Sequence, residues 1–486
     1  MKTRRALEEA FFLSLCAAIL VWKLLLPGFV GMASNGDFGK VIGALCIDGA
    51  DHSANNFVFF QSEYLRGSEY CFPPPYYSSE TGLAWVASSL ARLLSDPVRF
   101  DIRWMGTIHS LLFLGFYSAV LVLLRPFRAV ARVAMSLAAL WIFADIGLVA
   151  YLNSFFTDTA AILGGLAVVV LAVQLSMASR IKFPLLVLFG ASVLLFAGSK
   201  AQHALQGLAA VVFLLWLAVR QNETTVRLAV SSIGLIVLAA VIWIIATTPG
   251  SYTAQARFNL IFFYLLPHSK TPAQDLVELG LDPSDARYSG LTAYSPASPM
   301  NAKDTSWRTA FYARTSYGRV LTFYVRHPDR ALAKLRSDLW NEAPNRRVVY
   351  LSNYRRQAGK PAGARDPRFG SWSALRTRLF RWWPAHVLLW LALALCAPFF
   401  CLKAPMSALA RSLTWTISIG AAVAVAEFVS VSLADAIETD RHLLLFHVFT
   451  DATIFLAMLL VCALWSPRLA AHISAREHVA HPAATA

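Results

Sequence analysis

Long apolar runs separated by short polar turns recur along this chain, and their spacing is that of helices crossing a bilayer. A hydrocarbon core of about 30 Å takes about 20 apolar residues of helix. Windows of that kind lie near residues 10–31, 104–124, 132–150, 159–178, 183–198, 204–219, 228–247, 384–402, 412–434 and 443–465. The pattern predicts an all-α polytopic membrane protein of about ten transmembrane helices, in which the short fifth and sixth runs lean on their neighbours. The first run is longer than the apolar stretch of a leader peptide and no small-residue cleavage site clearly follows, so it is read as a retained helix.

The polar stretches set the organisation. Seven runs fall in 1–247, three in 383–466, and two long loops interrupt them at 32–103 and 248–382. In the first loop, GLAWVASSLARLLS (82–95) places apolar residues at helical spacing, as in a helix lying along the membrane surface. The second loop reads as a small, mostly helical unit between helices 7 and 8. It holds an interfacial segment RFNLIFFYLLP, a short helix AQDLVELGLD, and SYGRVLTFYVRHPDRALAKLRSDLW as helix, Pro break and helix. Residues 467–486 form a polar tail.

Charge then orients the helices. With 57% hydrophobic and 15% charged residues and a mean hydropathy of +0.53, the chain is far from a soluble composition. Lys2, Arg4, Arg5, Arg125, Arg128, Arg132, Arg180, Lys182, Arg220, Arg227, Lys403, Arg411, Arg468 and Arg476 all fall on one side of the predicted topology. The short connections opposite hold only Lys200 and Arg441. The positive-inside bias therefore puts both termini in the cytoplasm and both long loops outside, which in a bacterial inner membrane is the periplasm. The second loop carries 21 Lys and Arg against 9 Asp and Glu. Its field favours an anionic partner, either anionic headgroups or a lipid-linked phosphate, and its place outside the cell argues against nucleic acid. Cys16, Cys396, Cys401 and Cys462 fall in helices as packing residues. Cys46 and Cys71 share the first outer loop, where an oxidising compartment allows a disulfide and two buried thiols are the alternative.

Charge beside a bilayer is costly, so its placement is informative. Four polar clusters end apolar runs on the outer side: SNGD (34–37), YLNSFFTD (151–158), SKAQH (199–203) and ETDRH (438–442). Any one alone reads as a solvated turn; four together suit one cavity gathered by the bundle. Asp37 lies between Gly36 and Gly39, which allow close backbone approach, and a carboxylate there can take a proton from an acceptor hydroxyl. Asn35, Tyr151, Asn153 and Asp158 are candidates to support the acceptor, and Asp158 can equally bind a metal or neutralise a cation. Lys200, His203, Arg441 and His442 can hold a phosphate, Arg441 best of all through its planar, permanently charged fork. Deeper in the helices, Asp145, Glu427, His447 and Asp451 suit either a groove for a lipid phosphate or a proton relay. No Walker loop, dinucleotide fingerprint or HExxH motif occurs. Neither ATP nor nucleotide sugars are available outside the cell, so a base beside a phosphate clamp implies group transfer from a lipid carrier.

NGDFGKV, YLNSFFTDTAA, SKAQH, FNLIFFYLLP…DLVELGL, YVRHPDRAL, YLSNY and DRHLLLFHVFTD resemble the GT-C glycosyltransferases, in particular the bacterial branch of hexose transferases of glycan biosynthesis. The likeness spans residues 34–451. It implies transfer of a hexose from a polyprenyl phosphate such as undecaprenyl phosphate to a surface glycan or glycolipid, for example lipopolysaccharide. It gives Asp37 the catalytic carboxylate, Asp158 the acidic residue of the second turn, and Lys200, His203, Arg441 and His442 the donor-phosphate side. Many GT-C enzymes pair two acids in the first loop, whereas Phe38 follows Asp37 here, so no metal or other cofactor is expected. The runner-up is a flippase or transporter of lipid-linked sugars, although no inverted repeat is evident. A polysaccharide polymerase shares the same topology.

Overall fold

The computed structural model describes residues 2–51, 57–74, 78–250, 252–347, 351–401 and 406–465; the predicted tail and Lys403 lie outside them. Helix α1 (Lys2–Leu24) ends before Pro27 and Gly28, where a left-handed φ of +83° turns the chain away. The first loop holds α2 (Gly39–Leu45), α3 (Ser79–Leu94) and a three-stranded antiparallel sheet of β1 (Ile47–Gly49), β2 (Glu63–Arg66) and β3 (Arg99–Asp101), in that order. The all-α expectation missed this sheet, whose strands are too short for alternation to register. Asp48 sits opposite Leu65 and Tyr64 opposite Phe100. Cys46 and Cys71 form a disulfide beside it. Helix α3 occupies the predicted position, capped by Ser78, whose Oγ accepts from Thr81 N.

The bundle continues with α4 (Arg103–Leu124), α5 (Ala129–Phe143), α6 (Ile146–Val149), α7 (Asp158–Met177), α8 (Phe183–Ala197), α9 (Ala201–Ala204), α10 (Gly207–Val219) and α11 (Thr224–Thr247). The second loop contributes α12 (Ala254–Phe258), α13 (Pro272–Glu278), α14 (Ser306–Arg314), α15 (Tyr317–Arg326), α16 (Pro328–Asn341) and α17 (Ser371–Trp382). The chain returns through α18 (His386–Cys401), α19 (Ala408–Ala434), α20 (Thr439–His442) and α21 (Leu444–Leu464).

Among the described residues six helical stretches are long and apolar enough to cross a membrane, or eight if each of two bent pairs is one span, in place of the ten expected. The six are α4, α7, α9 with α10, α11, α19, and α20 with α21. The missing spans have physical causes that a hydropathy window averages away. The run 132–150 breaks at Ala144–Asp145 and bends by 49°, and the run 384–402 follows α17 at an angle of 104°. Helix α8 has 15 residues. Helix α1 stops at Leu24, and its first half carries Arg4, Arg5, Glu8 and Glu9.

The main core gathers α1, α4, α5, α7, α19 and α21, and a second core fills the space between α7, α8, α10 and α11. In the segment RFNLIFFYLLP, expected at the interface, Phe258, Leu260, Ile261 and Phe262 are fully buried in a core of the second loop, where Phe258 meets Phe311 edge-on at 6.0 Å and Phe262 lies tilted 6.0 Å from Trp307. The later part of the same loop packs on the bundle instead, placing Leu351, Trp372 and Phe380 in the main core. Of the cysteines, Cys16 is buried as expected for a packing residue. Cys396 is exposed on α18, a correction, because it faces outward from the bundle.

Candidate active site at one end of the bundle

Ion pairs mark the two ends of the bundle. At one end, Glu8 pairs with Arg132 and Glu9 with Arg125, joining the start of α1 to the α4–α5 turn. At the other end, the turns after α1, before α7, before α9 and before α21 converge.

Asp37 belongs to a tight turn after α1. Gly36 takes a left-handed φ of +98° there, and the Asp37 amide donates to Asn35 Oδ1 at 3.1 Å. Phe38 follows where a second acid was absent, and its ring packs edge-on against Phe155 and Phe156. The Arg441 guanidinium lies 5.2 Å over that same Phe156 ring, so the aromatic pair aligns the Asp37 turn with Arg441. Arg441 is the hub. Its Nη2 donates to Asp37 Oδ2 at 2.8 Å, its Nε to Glu438 Oε2 at 3.0 Å, and its Nη1 lies 3.5 Å from Asp158 Oδ2. Asn35 Nδ2 also donates to Glu438. Lys40, one helical turn beyond Asp37, pairs with its Oδ1 at 2.6 Å.

Asp158, at the first turn of α7, lies 3.7 Å from Lys200 Nζ and 3.5 Å from His203 Nε2. The other ring nitrogen of His203 is 2.9 Å from Glu427 Oε1 on α19, and Gln202 donates to the second oxygen of Glu427. His442 Nε2 accepts from Arg441 at 2.7 Å, which leaves the proton on Nδ1, facing Asp435 at 3.7 Å. Thus Asn35, Asp37, Asp158, Lys200, His203, Arg441 and His442 meet in one connected cluster. Tyr151 is buried and packs against Phe156 beneath it. Asn153 is elsewhere engaged: its Nδ2 donates to the Leu24 and Val30 carbonyls and fastens the end of α1.

The electrostatics differ from a simple phosphate clamp. Every cation in the cluster already faces at least one carboxylate, and Glu427, Glu438 and Asp435 add acid to Asp37 and Asp158. Burying such charges is tolerable only because they are paired. Burial works against ionisation of Asp37, but Arg441 and Lys40 outweigh it and hold the carboxyl well below the usual carboxylate range. Asp37 keeps 22% of its side-chain surface exposed against 7% for Asp158, so Asp37 is the acid a ligand reaches. Sequence reasoning did not assign roles to Lys40 or Glu438, both one helical turn from a named residue; that i,i+3 spacing was the available signal.

No curated protein and no solved structure matches the chain. A family model does match, over residues 1–476, which includes every turn of the cluster. The chain therefore belongs to the YfdI N-terminal transmembrane domain family.

Proposed function

We propose that the protein is a membrane glycosyltransferase of GT-C-like type that moves a hexose from a polyprenyl phosphate carrier, such as undecaprenyl phosphate, to a hydroxyl of a surface glycan or glycolipid at the outer face of a bacterial inner membrane. The observation that carries this reading is the convergence of seven dispersed polar side chains on Arg441 and Asp158 at one end of the bundle. Membership of a transmembrane family with GT-C-like character supports it.

The carrier phosphate takes Arg441, with Lys200 beside it, and displaces Asp37 from the guanidinium. Freed from one of its two cations, Asp37 gains basicity. It then accepts the proton of the acceptor hydroxyl as that oxygen forms its bond to the anomeric carbon. The bond from that carbon to the phosphate oxygen breaks, and the electron pair leaves on the carrier phosphate, whose growing charge Arg441 stabilises. Side attack opposite the leaving phosphate inverts the sugar carbon. Neither step calls on a metal ion. Asp37→Asn keeps the turn, whose hydrogen bond to Asn35 comes from the backbone amide, and one acceptor oxygen, but cannot take the proton, so transfer from a polyprenyl-phosphate sugar should fall by about 10²-fold or more. Donor binding should survive, measured by competition with free polyprenyl phosphate. An Asn variant with most of its turnover would refute the role.

One observation favours the transporter reading. Asp158, His203 and Glu427 form a carboxylate–imidazole–carboxylate chain running into the bundle, a geometry suited to proton relay. Sugar transfer by purified protein in detergent, where no membrane remains to be crossed, separates the two.

A further inference from the structure

A second charged assembly lies outside the Asp37–Arg441 cluster. Asp451 is on α21, ten residues beyond Arg441 and thus roughly 15 Å further along at 1.5 Å per residue. Its carboxylate is fully buried and saturated by the second outer loop. Arg346 donates to both oxygens, Arg376 Nε donates to Oδ1 at 3.2 Å, and Trp372 Nε1 donates to Oδ2 at 2.8 Å. Among the described residues Asp451 is the only carboxylate paired with either arginine. Two guanidinium groups against one carboxylate leave an excess positive charge with Arg346 9% and Arg376 3% exposed.

His386 does not relieve it. Its Nδ1 lies 2.6 Å from the Trp383 carbonyl and donates there, so Nε2 accepts from Arg376 Nη1 and the ring is neutral. His447, one turn from Asp451 on α21, shares the Phe380 ring with Arg376, at 5.5 Å and 5.3 Å respectively. It is 2% exposed, and neither of its ring nitrogens has a hydrogen-bond partner. Arg346 Nε and Arg376 Nη2 are also buried without partners. An uncompensated buried cation with several unmet polar atoms is strongly unfavourable, and a native site carrying one is built around a group that meets it.

We propose that Arg346, Arg376 and His447 form a second anion site, separate from the Asp37 cluster, that takes the phosphate of an anionic lipid headgroup. Guanidinium N–H groups suit phosphate oxygens, and a phosphate supplies the missing negative charge. Helix α17, which carries Arg376, and the turn after it expose Trp382 and Trp383, residues of the kind that line a membrane interface. The site does not depend on the glycosyltransferase reading. If the Asp37 chemistry is wrong, this site still binds.

The test uses the full chain purified in detergent and in nanodiscs of phosphatidylcholine with or without phosphatidylglycerol. Phosphatidylglycerol should raise Tm by several degrees, and native mass spectrometry should retain one lipid per chain. Inorganic phosphate at matched ionic strength is the second arm. A rise with phosphate alone equal to the lipid's assigns the site to the free ion and overturns the headgroup assignment. His447→Leu removes a ring that makes no hydrogen bond, so the fold should hold while the lipid-induced rise is lost; Asp37→Asn should keep it. An undiminished rise in His447→Leu, or wild-type protein that retains no lipid and shows no rise, overturns the site. The second of these results needs no variant to fold.

Discussion

A carboxylate pressed between a guanidinium and an ammonium gives up basicity in exchange for position. Asp37 does so, and the loss is repaired only when an anion draws Arg441 away, which orders donor before acceptor in the proposed reaction. Asp435 is the opposite case. Burial pushes its carboxyl up to about 6, against the help of the Ala436 and Ile437 amides that donate to Oδ1. An acid whose folded pKa is raised holds its proton more tightly folded than unfolded, so its contribution to stability is full at low pH and is lost as pH rises from about 4 through about 6. Asp435→Asn keeps the Oδ1 acceptor and removes the titration. The variant should match wild type near pH 4 and exceed it by roughly 1–3 kcal/mol at pH 7.5, read as the difference in thermal unfolding at the two pH values. An equal difference at both would contradict this assignment.

At the scale of elements, one side chain fixes the break that turned a predicted straight span into a bent one. Asp145 caps α6, its Oδ1 accepting from Gly147 N at 2.8 Å, and the same carboxylate binds Ser373 N at 3.0 Å and the Ser373 hydroxyl, at the start of α17. Two helix N-termini thus share one acid, each contributing exposed amides and the positive end of a dipole. Asp145→Ala should cost about 3 kcal/mol, from the lost cap and the stranded Ser373 donors, and would appear as a large fall in Tm in detergent. Asp145→Asn, which keeps one acceptor oxygen, should recover part of it. The break was legible in principle, since Asp before an apolar run is a capping signal, but hydropathy averages over it. The long α4, α7, α11, α19 and α21 were legible for the opposite reason, that nothing in them competes with their apolar length. The polar turns of the cluster could be found because charge is expensive at a membrane edge. Which charges pair with which could not, because Arg441 meets Asp37 across 404 positions of chain. Asn153 shows the limit: it sits in the right turn and faces the other way.

For the molecule as a whole, the pairing of Glu8 and Glu9 with Arg132 and Arg125 gathers one set of basic turns at one end, and the Arg441 cluster closes the other. Two ends so different in charge give the bundle a polarity, and the positive-inside bias assigns the basic end to the cytoplasm. In the proposed orientation the surplus positive charge of the second loop would lie outside, facing the headgroups of the outer leaflet. This orientation is tested with cysteines at exposed positions. Gln357 is in the second loop and Arg180 follows α7 at the basic end, and both are exposed. With Cys46 and Cys71 already joined, Gln357→Cys should react with a membrane-impermeant maleimide in intact spheroplasts, and Arg180→Cys only after the membrane is permeabilised. The reverse pattern would place the Asp37 cluster on the cytoplasmic side, where nucleotide-activated sugars are at hand, and would remove the reason for a lipid-borne donor.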